Sequence, residues 1–134
     1  MTNPYQQFAE HYKDIELKTN IASADPHELI NLLLQGARNH LAAAQGSMIR
    51  GQIAEKGEHL SKALNIIAGL KAAINQKDGG EIAANLYAIY SYIEPLIVRA
   101  NLKNDEQLLL EANKLLNQIH DAWKEIAPTK VLSE

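Results

Sequence analysis

Three residues near the middle of the chain have types and spacing that could perform chemistry. Lys62 follows His59 by three residues, and Ala63 comes next. On a helix, a lysine one turn from a histidine could stabilise a phosphoryl group on the imidazole, and a small residue beside it could admit a regulator domain. Histidine phosphotransfer is therefore one candidate function. Phosphate labelling by a histidine kinase, and its loss in His59→Gln, would test it.

Metal and nucleophilic chemistry have less support. Di-iron bundles use inward glutamates and Glu-x-x-His pairs on two helices, and this chain has no Glu-x-x-His; Glu55 and His59, four apart, are the nearest approach. A lone histidine at the edge of an apolar stripe, such as His40, is typical of a structural residue. The chain has no cysteine, and neither a glycine-rich phosphate loop nor a Ser-His-Asp pattern is evident. We expect no enzyme activity, cofactor or metal.

The composition is that of one globular domain. The chain has 134 residues, of which 46% are hydrophobic and 22% charged, so it can bury a core. A formal charge of −3 and a pI near 5.9 give no basic surface for nucleic acid. The N-terminal residues are polar and acidic, and no apolar run approaches the ~20 residues that span a bilayer. We expect a cytoplasmic protein without membrane insertion.

Cap and turn residues divide the chain into helices. Asp25, Pro26 and Glu28 match an N-cap, a proline at N1 and a capping-box carboxylate. Asn104, with Gln107 three residues later, matches a second capping box. We therefore predict one helix from Pro26 to about Met48, a second from about Gln52 to Gln76, a third after a turn at 77–80, and a fourth from Asn104 to Pro128.

Four long helices with short connections predict an all-α, antiparallel four-helix bundle. The chain is then a single domain, with the bundle at 25–127 and a loose tail at 128–134. Tyr5, Phe8 and Tyr12 recur at three and four residues, which predicts a short amphipathic segment within 1–24 that can lie against the bundle.

Each predicted helix has an inward apolar stripe with helical spacing. The inward residues are Ile30, Leu33, Leu34, Ala37, Leu41, Ala44 and Met48 on the first helix, Ile53, Leu60, Leu64, Ile67 and Ile74 on the second, Ile82, Leu86, Ile89, Ile93, Leu96, Ile97 and Ala100 on the third, and Leu108, Ala112, Leu115, Ile119, Ala122 and Ile126 on the fourth. Trp123 is expected to pack in the core or on its flank.

Three of the helices have a second apolar stripe beside the first. Its residues are Leu29, Leu32, Gly36 and Ala43, then Ala63, Ile66, Leu70 and Ala73, then Ala83, Tyr87, Tyr90 and Val98. Two explanations remain open. A helix that touches two neighbours has a broader apolar arc, and a groove for an apolar partner segment would also need small residues and tyrosines along it.

Several blocks of the chain resemble one protein family. The blocks are SADPHELI at 23–30, QGA at 35–37, LSKALNII at 60–67, GGEIAANL at 79–86, YSYI at 90–93, ANLKND at 100–105 and AWKEI at 122–126. In order and spacing, over about residues 12–126, they resemble the flagellar secretion chaperones, which are flagellin-specific export chaperones. Family members commonly have an aromatic residue and an acid where this chain has Leu34 and Gln35, and a basic pair where it has Glu94 and Pro95.

The resemblance implies a cytosolic bundle that binds the C-terminal segment of flagellin, which is disordered when free. It also implies that binding prevents premature polymerisation and helps delivery to the flagellar type III secretion apparatus, with export apparatus components as further partners. Free protein could dimerise through an uncovered stripe, and an N-terminal segment with Tyr5, Phe8 and Tyr12 could cover the groove. The implied groove residues are Leu29, Leu32, Gly36, Ala63, Ile66, Leu70, Tyr87, Tyr90 and, less directly, Asn101.

Overall fold

The computed structural model describes residues 26–74 and 76–125. These residues form four helices, which are α1 (Pro26–Ile49), α2 (Ile53–Ala72), α3 (Gln76–Lys103) and α4 (Glu106–Glu125). The all-α bundle prediction is confirmed. The predicted N-terminal segment with Tyr5, Phe8 and Tyr12, the cap at Asp25, the inward Ile126 and the tail at 128–134 lie outside the described residues. Within 26–74 and 76–125, every helix is too short or too polar to cross a membrane.

The four helices pack in a ring, so that each touches two neighbours. α1 contacts α2 and α4, and α3 contacts the same two helices from the opposite side. Short connections between sequential neighbours produce this up-and-down arrangement. A helix that faces two partners must bury an arc wider than a single seam, which explains much of the surplus apolar surface in the sequence.

The core follows the predicted inward stripe most closely on α1. All seven inward residues of that helix are buried, and Leu33, Leu34, Ala37 and Ala44 have no exposed surface. On α3, the predicted stripe is buried from Ile93 to Ala100, although Pro95 between them is exposed. The helix continues through Pro95, because a proline on the solvated face leaves its unpaired carbonyl partner within reach of water.

Three predicted inward residues are on the surface, and these predictions were wrong. Ile53 is 74% exposed and Ile82 is 49% exposed, and Ala122 is also exposed. Ile53 and Ile82 lie in the first turns of their helical segments, and Ala122 lies near the end of α4. Apolar periodicity continues through these ends, but the packed neighbours no longer cover them.

The inward face of α4 overlaps the predicted one only in part. Leu109, Leu116, His120 and Trp123 are buried, whereas Leu108 and Leu115 are only half-buried. Leu109, Leu116 and Trp123 recur every seven residues and define one seam, and Ala112 and Ile119 of the predicted stripe are buried beside it as predicted. Because α4 packs on both α1 and α3, two registers of apolar residues are needed on this helix.

The turn after α1 forms a Schellman motif. Gly51 has a φ of +73°, its amide donates to the Met48 carbonyl at 3.2 Å, and the Gln52 amide donates to the Ser47 carbonyl at 2.8 Å. A left-handed glycine at this position satisfies helix-end carbonyls without a Cβ clash. The predicted break between the first two helices is confirmed, and Gly51 provides its physical cause.

The predicted capping box at Asn104 is wrong. Asn104 instead has the left-handed φ of +52° that ends α3, and the Asp105 amide donates to the Ala100 carbonyl at 3.1 Å. Asp105 is the residue that caps α4, since its Oδ1 accepts from the Gln107 amide at 3.0 Å. Asparagine suits both the left-handed helix end and the N-cap, so the sequence alone placed the cap one residue early.

The turn predicted at 77–80 is present only as a break at its last residue. Residues 76–79 are helical, and the break falls at Gly80, whose φ of 60° and ψ of −137° are not helical. That combination of angles is available essentially only to glycine. The long regular part of α3 therefore begins after Gly80.

Candidate partner-binding surface

The predicted groove residues occupy three different environments. Leu29, Ala63, Ile66, Leu70 and Tyr90 are buried in the core, with Ala63 and Ile66 at 0% exposure. For these five residues the two-neighbour explanation of the second stripe applies. The remaining four are accessible, since Leu32 and Gly36 are half-buried and Tyr87 and Asn101 are exposed.

An open apolar cleft lies between α3 and α4. We name it the α3–α4 cleft; its volume is about 200 Å³ and its lining residues are Ile82, Leu86, Ile89, Leu115, Gln118, Ile119, Ala122 and Trp123. Seven of these eight residues are apolar. A cleft of this character suits large apolar side chains from one face of a helix.

Sequence reasoning did not find the α3–α4 cleft, although it singled out most of its residues. Ile82, Leu86, Leu115 and Ala122 were all assigned to the inward stripe. The structure leaves them half-buried or exposed because α3 and α4 do not close fully over this part of the interface. The available signal was that α3 and α4 carry more apolar residues than a single seam requires.

Trp123 forms one wall of the α3–α4 cleft and joins the two ends of the described chain. Its ring stacks on His27, with centroids 4.7 Å apart and planes inclined by 15°. The indole Nε1–H donates to the His27 carbonyl oxygen at 2.9 Å, and His27 Nε2 lies 2.9 Å from the Trp123 carbonyl oxygen, so the imidazole donates in return. The pair fixes the start of α1 against the end of α4.

Tyr87 belongs to a charged array that joins α2 and α3. Lys71 Nζ lies 5.2 Å from the centroid of the Tyr87 ring, donates to Glu94 Oε1 at 2.7 Å and approaches Ser91 Oγ at 3.4 Å. The hydrogen bond to Glu94 raises the pKa of Lys71. This array holds the tyrosine ring by a cation–π contact and leaves the ring 37% exposed.

A buried polar network joins α1 and α4 below the surface. His120, 1% exposed, places Nε2 2.8 Å from Asn31 Oδ1 and Nδ1 2.9 Å from Arg38 Nη1. An amide oxygen can only accept and a guanidinium can only donate, so the imidazole is neutral with its proton on Nε2. Burial, followed by the charges of Lys124 and Arg38, lowers the pKa of His120.

His59 faces another histidine. Its Nδ1 lies 3.0 Å from Nδ1 of His40 on α1, with ring centroids 5.3 Å apart. At this distance one imidazole must donate a hydrogen bond to the other. One ring nitrogen of His59 is therefore occupied by a hydrogen bond between α1 and α2. Within residues 26–74 and 76–125, no group of three or more histidine and acidic side chains could hold a metal ion.

The sequence matches one known protein family over most of its length. The family model described as "Flagellar protein FliS" matches residues 8–130. The flagellar secretion chaperone FliS of Salmonella typhimurium is 43% identical over 92% of this chain and 92% of its own length. FliSB of Pseudomonas aeruginosa is 41% identical over 87% of this chain and 92% of its own, and FliS of Vibrio cholerae is 37% identical over 87% and 86%.

A helical bundle with an open apolar cleft has the architecture of proteins that can receive a helical segment of another polypeptide. This chain belongs to the FliS family of flagellar secretion chaperones. The family is one of chaperones and not of enzymes, so membership gives the phosphotransfer hypothesis for His59 no support. The chain therefore has a chaperone role in flagellar export.

Proposed function

We propose that this protein is a cytosolic export chaperone for flagellin. In this proposal it binds the disordered C-terminal segment of flagellin in apolar grooves, prevents polymerisation before export and assists delivery to the flagellar type III secretion apparatus. The observation that supports it most is the open α3–α4 cleft in a chain of the FliS family.

The α3–α4 cleft can anchor only a small part of such a partner. Coupled folding and binding typically buries on the order of 1,000–3,000 Å² and spends about 2–5 kcal/mol on ordering the segment. A cleft of about 200 Å³ holds one or two large side chains, so the segment must also contact other apolar surface. Tyr87, which is accessible, lies on the helix that forms one wall of the cleft.

The expected groove residues enter the proposal in two groups. Leu32, Gly36, Tyr87 and Asn101 can meet a partner in the described conformation. The other five residues are buried and would contact a partner only after the element that covers them moves. They are Leu29, Ala63, Ile66, Leu70 and Tyr90. We propose that the segment with Tyr5, Phe8 and Tyr12 is a displaceable cover over the accessible part of the groove, which would reduce the apparent affinity by the fraction of time it occupies the groove.

Two variants that each replace an exposed alanine with aspartate test the cleft without disturbing the core. Ala122→Asp places a carboxylate at the cleft, and Ala42→Asp makes the same change at an exposed position of α1 that does not line it. We expect Ala122→Asp to weaken binding of a labelled flagellin C-terminal peptide by about tenfold or more, because a buried carboxylate without a partner is costly. Ala42→Asp should leave the affinity unchanged.

Fluorescence anisotropy measures both affinities, and circular dichroism checks that both variants remain helical. Equal binding by the two variants would remove the α3–α4 cleft from the proposal. A folded wild-type protein that fails to bind the peptide over a wide concentration range would contradict the flagellin proposal itself.

A further inference from the structure

The end of the bundle that carries the α1–α2 and α3–α4 turns is unusually apolar. Ile49, Ile53 and Leu102 are 67%, 74% and 80% exposed, more than any other large hydrophobic side chain among the described residues. All three adjoin these two turns, and the turns meet at one end because the helices alternate in direction. Exposed apolar residues are ordinary singly, but a cluster of them marks an interaction surface.

The same end contains a pocket with a cation in its wall. We name it the turn pocket; it has a volume of about 370 Å³ and is lined by Ser47, Met48, Gly51, Gln52, Ile53, Lys56, Asn101, Leu102 and Asn104. Its size is within the range of sites that hold small ligands. Its lining combines apolar side chains with several hydrogen-bonding groups, unlike that of the α3–α4 cleft.

Lys56 is the charged group of the turn pocket. It is only 5% exposed, and its Nζ donates to the Asn101 carbonyl at 3.2 Å and to Asn104 Oδ1 at 2.9 Å. Both of these acceptors are neutral oxygens. An ammonium group has three donors, so the two neutral oxygens leave one donor and the positive charge without an anionic partner among residues 26–74 and 76–125.

Its present partners explain how the cation is tolerated. Asn101 and Asn104 belong to the last turn of α3 and to its left-handed end, where helix-end carbonyls carry partial negative charge. Lys56 therefore caps α3 from the neighbouring helix. A carboxylate would complement the ammonium more strongly than neutral oxygens do, because charge-assisted hydrogen bonds are shorter and stronger.

We propose that the turn pocket is a second docking surface, for a segment of a protein partner that presents a carboxylate side chain between apolar side chains. Lys56 receives the carboxylate, and Ile53 and Leu102 cover the flanking apolar groups. Charge complementarity selects the carboxylate, and the apolar rim favours a peptide over a small hydrated anion. The surface lies at the opposite end of α3 from the α3–α4 cleft and shares only Asn101 with the proposed flagellin contacts, so its occupant need not be the exported protein.

Two short peptides test this proposal. The probes are the acetylated and amidated tripeptides leucine-glutamate-leucine and leucine-glutamine-leucine, which differ in charge but hardly in shape. Methyl NMR of the full chain follows Met48, Ile53 and Leu102 during each titration. We expect saturable shifts of these methyl groups with the glutamate peptide, and about tenfold weaker binding of the glutamine peptide.

Three variants separate docking from folding. Lys56→Met should remove the preference for glutamate over glutamine, although it also removes the α3 cap and requires a check of the fold. Leu102→Ser changes an exposed side chain and should weaken the glutamate peptide by about threefold or more. Leu110→Ser is the matched control, since Leu110 is also exposed but lies outside the pocket.

The outcomes are distinguishable from those for flagellin binding. Any of three results would overturn the turn-pocket proposal. These are shifts that spread over the whole surface, equal affinities for the two peptides, and equal effects of Leu102→Ser and Leu110→Ser. Failure of the turn-pocket proposal would not change the affinity for the flagellin peptide. Weak binding of flagellin would likewise not change the affinity for the tripeptides.

Discussion

Replacement of Trp123 should destabilise the bundle more than replacement of any surface aromatic residue. Trp123 is 3% exposed, stacks on His27 at 4.7 Å and donates its indole proton to the His27 carbonyl. Trp123→Ala removes a buried aromatic ring, which typically costs about 3–5 kcal/mol. The lost hydrogen bond from the indole to the half-buried His27 carbonyl contributes to that figure, at about 0.5–1.5 kcal/mol for a typical hydrogen bond.

A second variant separates the ring from its hydrogen bond. Trp123→Phe keeps an aromatic ring against His27 but loses the N–H donor and part of the volume, so we expect a loss of about 1–2 kcal/mol. Tyr92→Ala is the control, since Tyr92 is 54% exposed and its hydroxyl donates to Glu111 at the surface. That change should cost less than about 1 kcal/mol.

Urea unfolding followed by far-ultraviolet circular dichroism measures these differences without relying on tryptophan fluorescence. The change must appear in the midpoint with a constant slope, so that it reports stability and not a change in the unfolded state. If Trp123→Ala cost no more than Tyr92→Ala, the contact between the start of α1 and the end of α4 would contribute little, and the reasoning from burial and stacking would be refuted.

Three further changes test the local structure. Burial lowers the pKa of His120, so below about pH 6.5 the unfolded chain binds a proton that the folded chain does not. As the pH falls below that value, the free energy of unfolding should decrease by up to about 1.4 kcal/mol per pH unit. The His120→Gln variant should show a shallower decrease over the same pH range. Asp105→Ala removes the side-chain cap of α4 and should lower the urea midpoint by the equivalent of about 1 kcal/mol, whereas Asp121→Ala, on an exposed side chain, should have little effect. Gly51→Ala forces a Cβ onto a left-handed residue and should cost about 1 kcal/mol in the same assay, and an unchanged midpoint would refute the role of the left-handed turn.

The sequence predicted the bundle well because helical periodicity and turn residues are local signals. The seam of α1 from Ile30 to Met48 and the break at Gly51 were both predictable from residues within a few positions. Asn104 shows the limit of this reasoning, since one asparagine can end one helix or begin the next, and only the backbone conformation decides.

Non-local contacts account for most of what the sequence did not predict. His120 is polar and would ordinarily be placed outside, yet it is buried because Asn31 and Arg38, 89 and 82 residues away, supply its hydrogen bonds. The α3–α4 cleft depends on how closely two helices approach, and periodicity does not specify that distance. The same limit applies to Ile66 and Tyr90, whose apolar character fits a core as well as a groove.

The central claim is that this protein binds the C-terminal segment of flagellin through apolar surface, and calorimetric titration of the full chain with that peptide tests it most directly. We predict saturable one-to-one binding with a negative heat-capacity change on the order of 0.3 kcal/mol/K, as expected for burial of about 2,000 Å² of mostly apolar surface. Absence of binding by the folded protein, or binding with a heat-capacity change near zero, would contradict the claim.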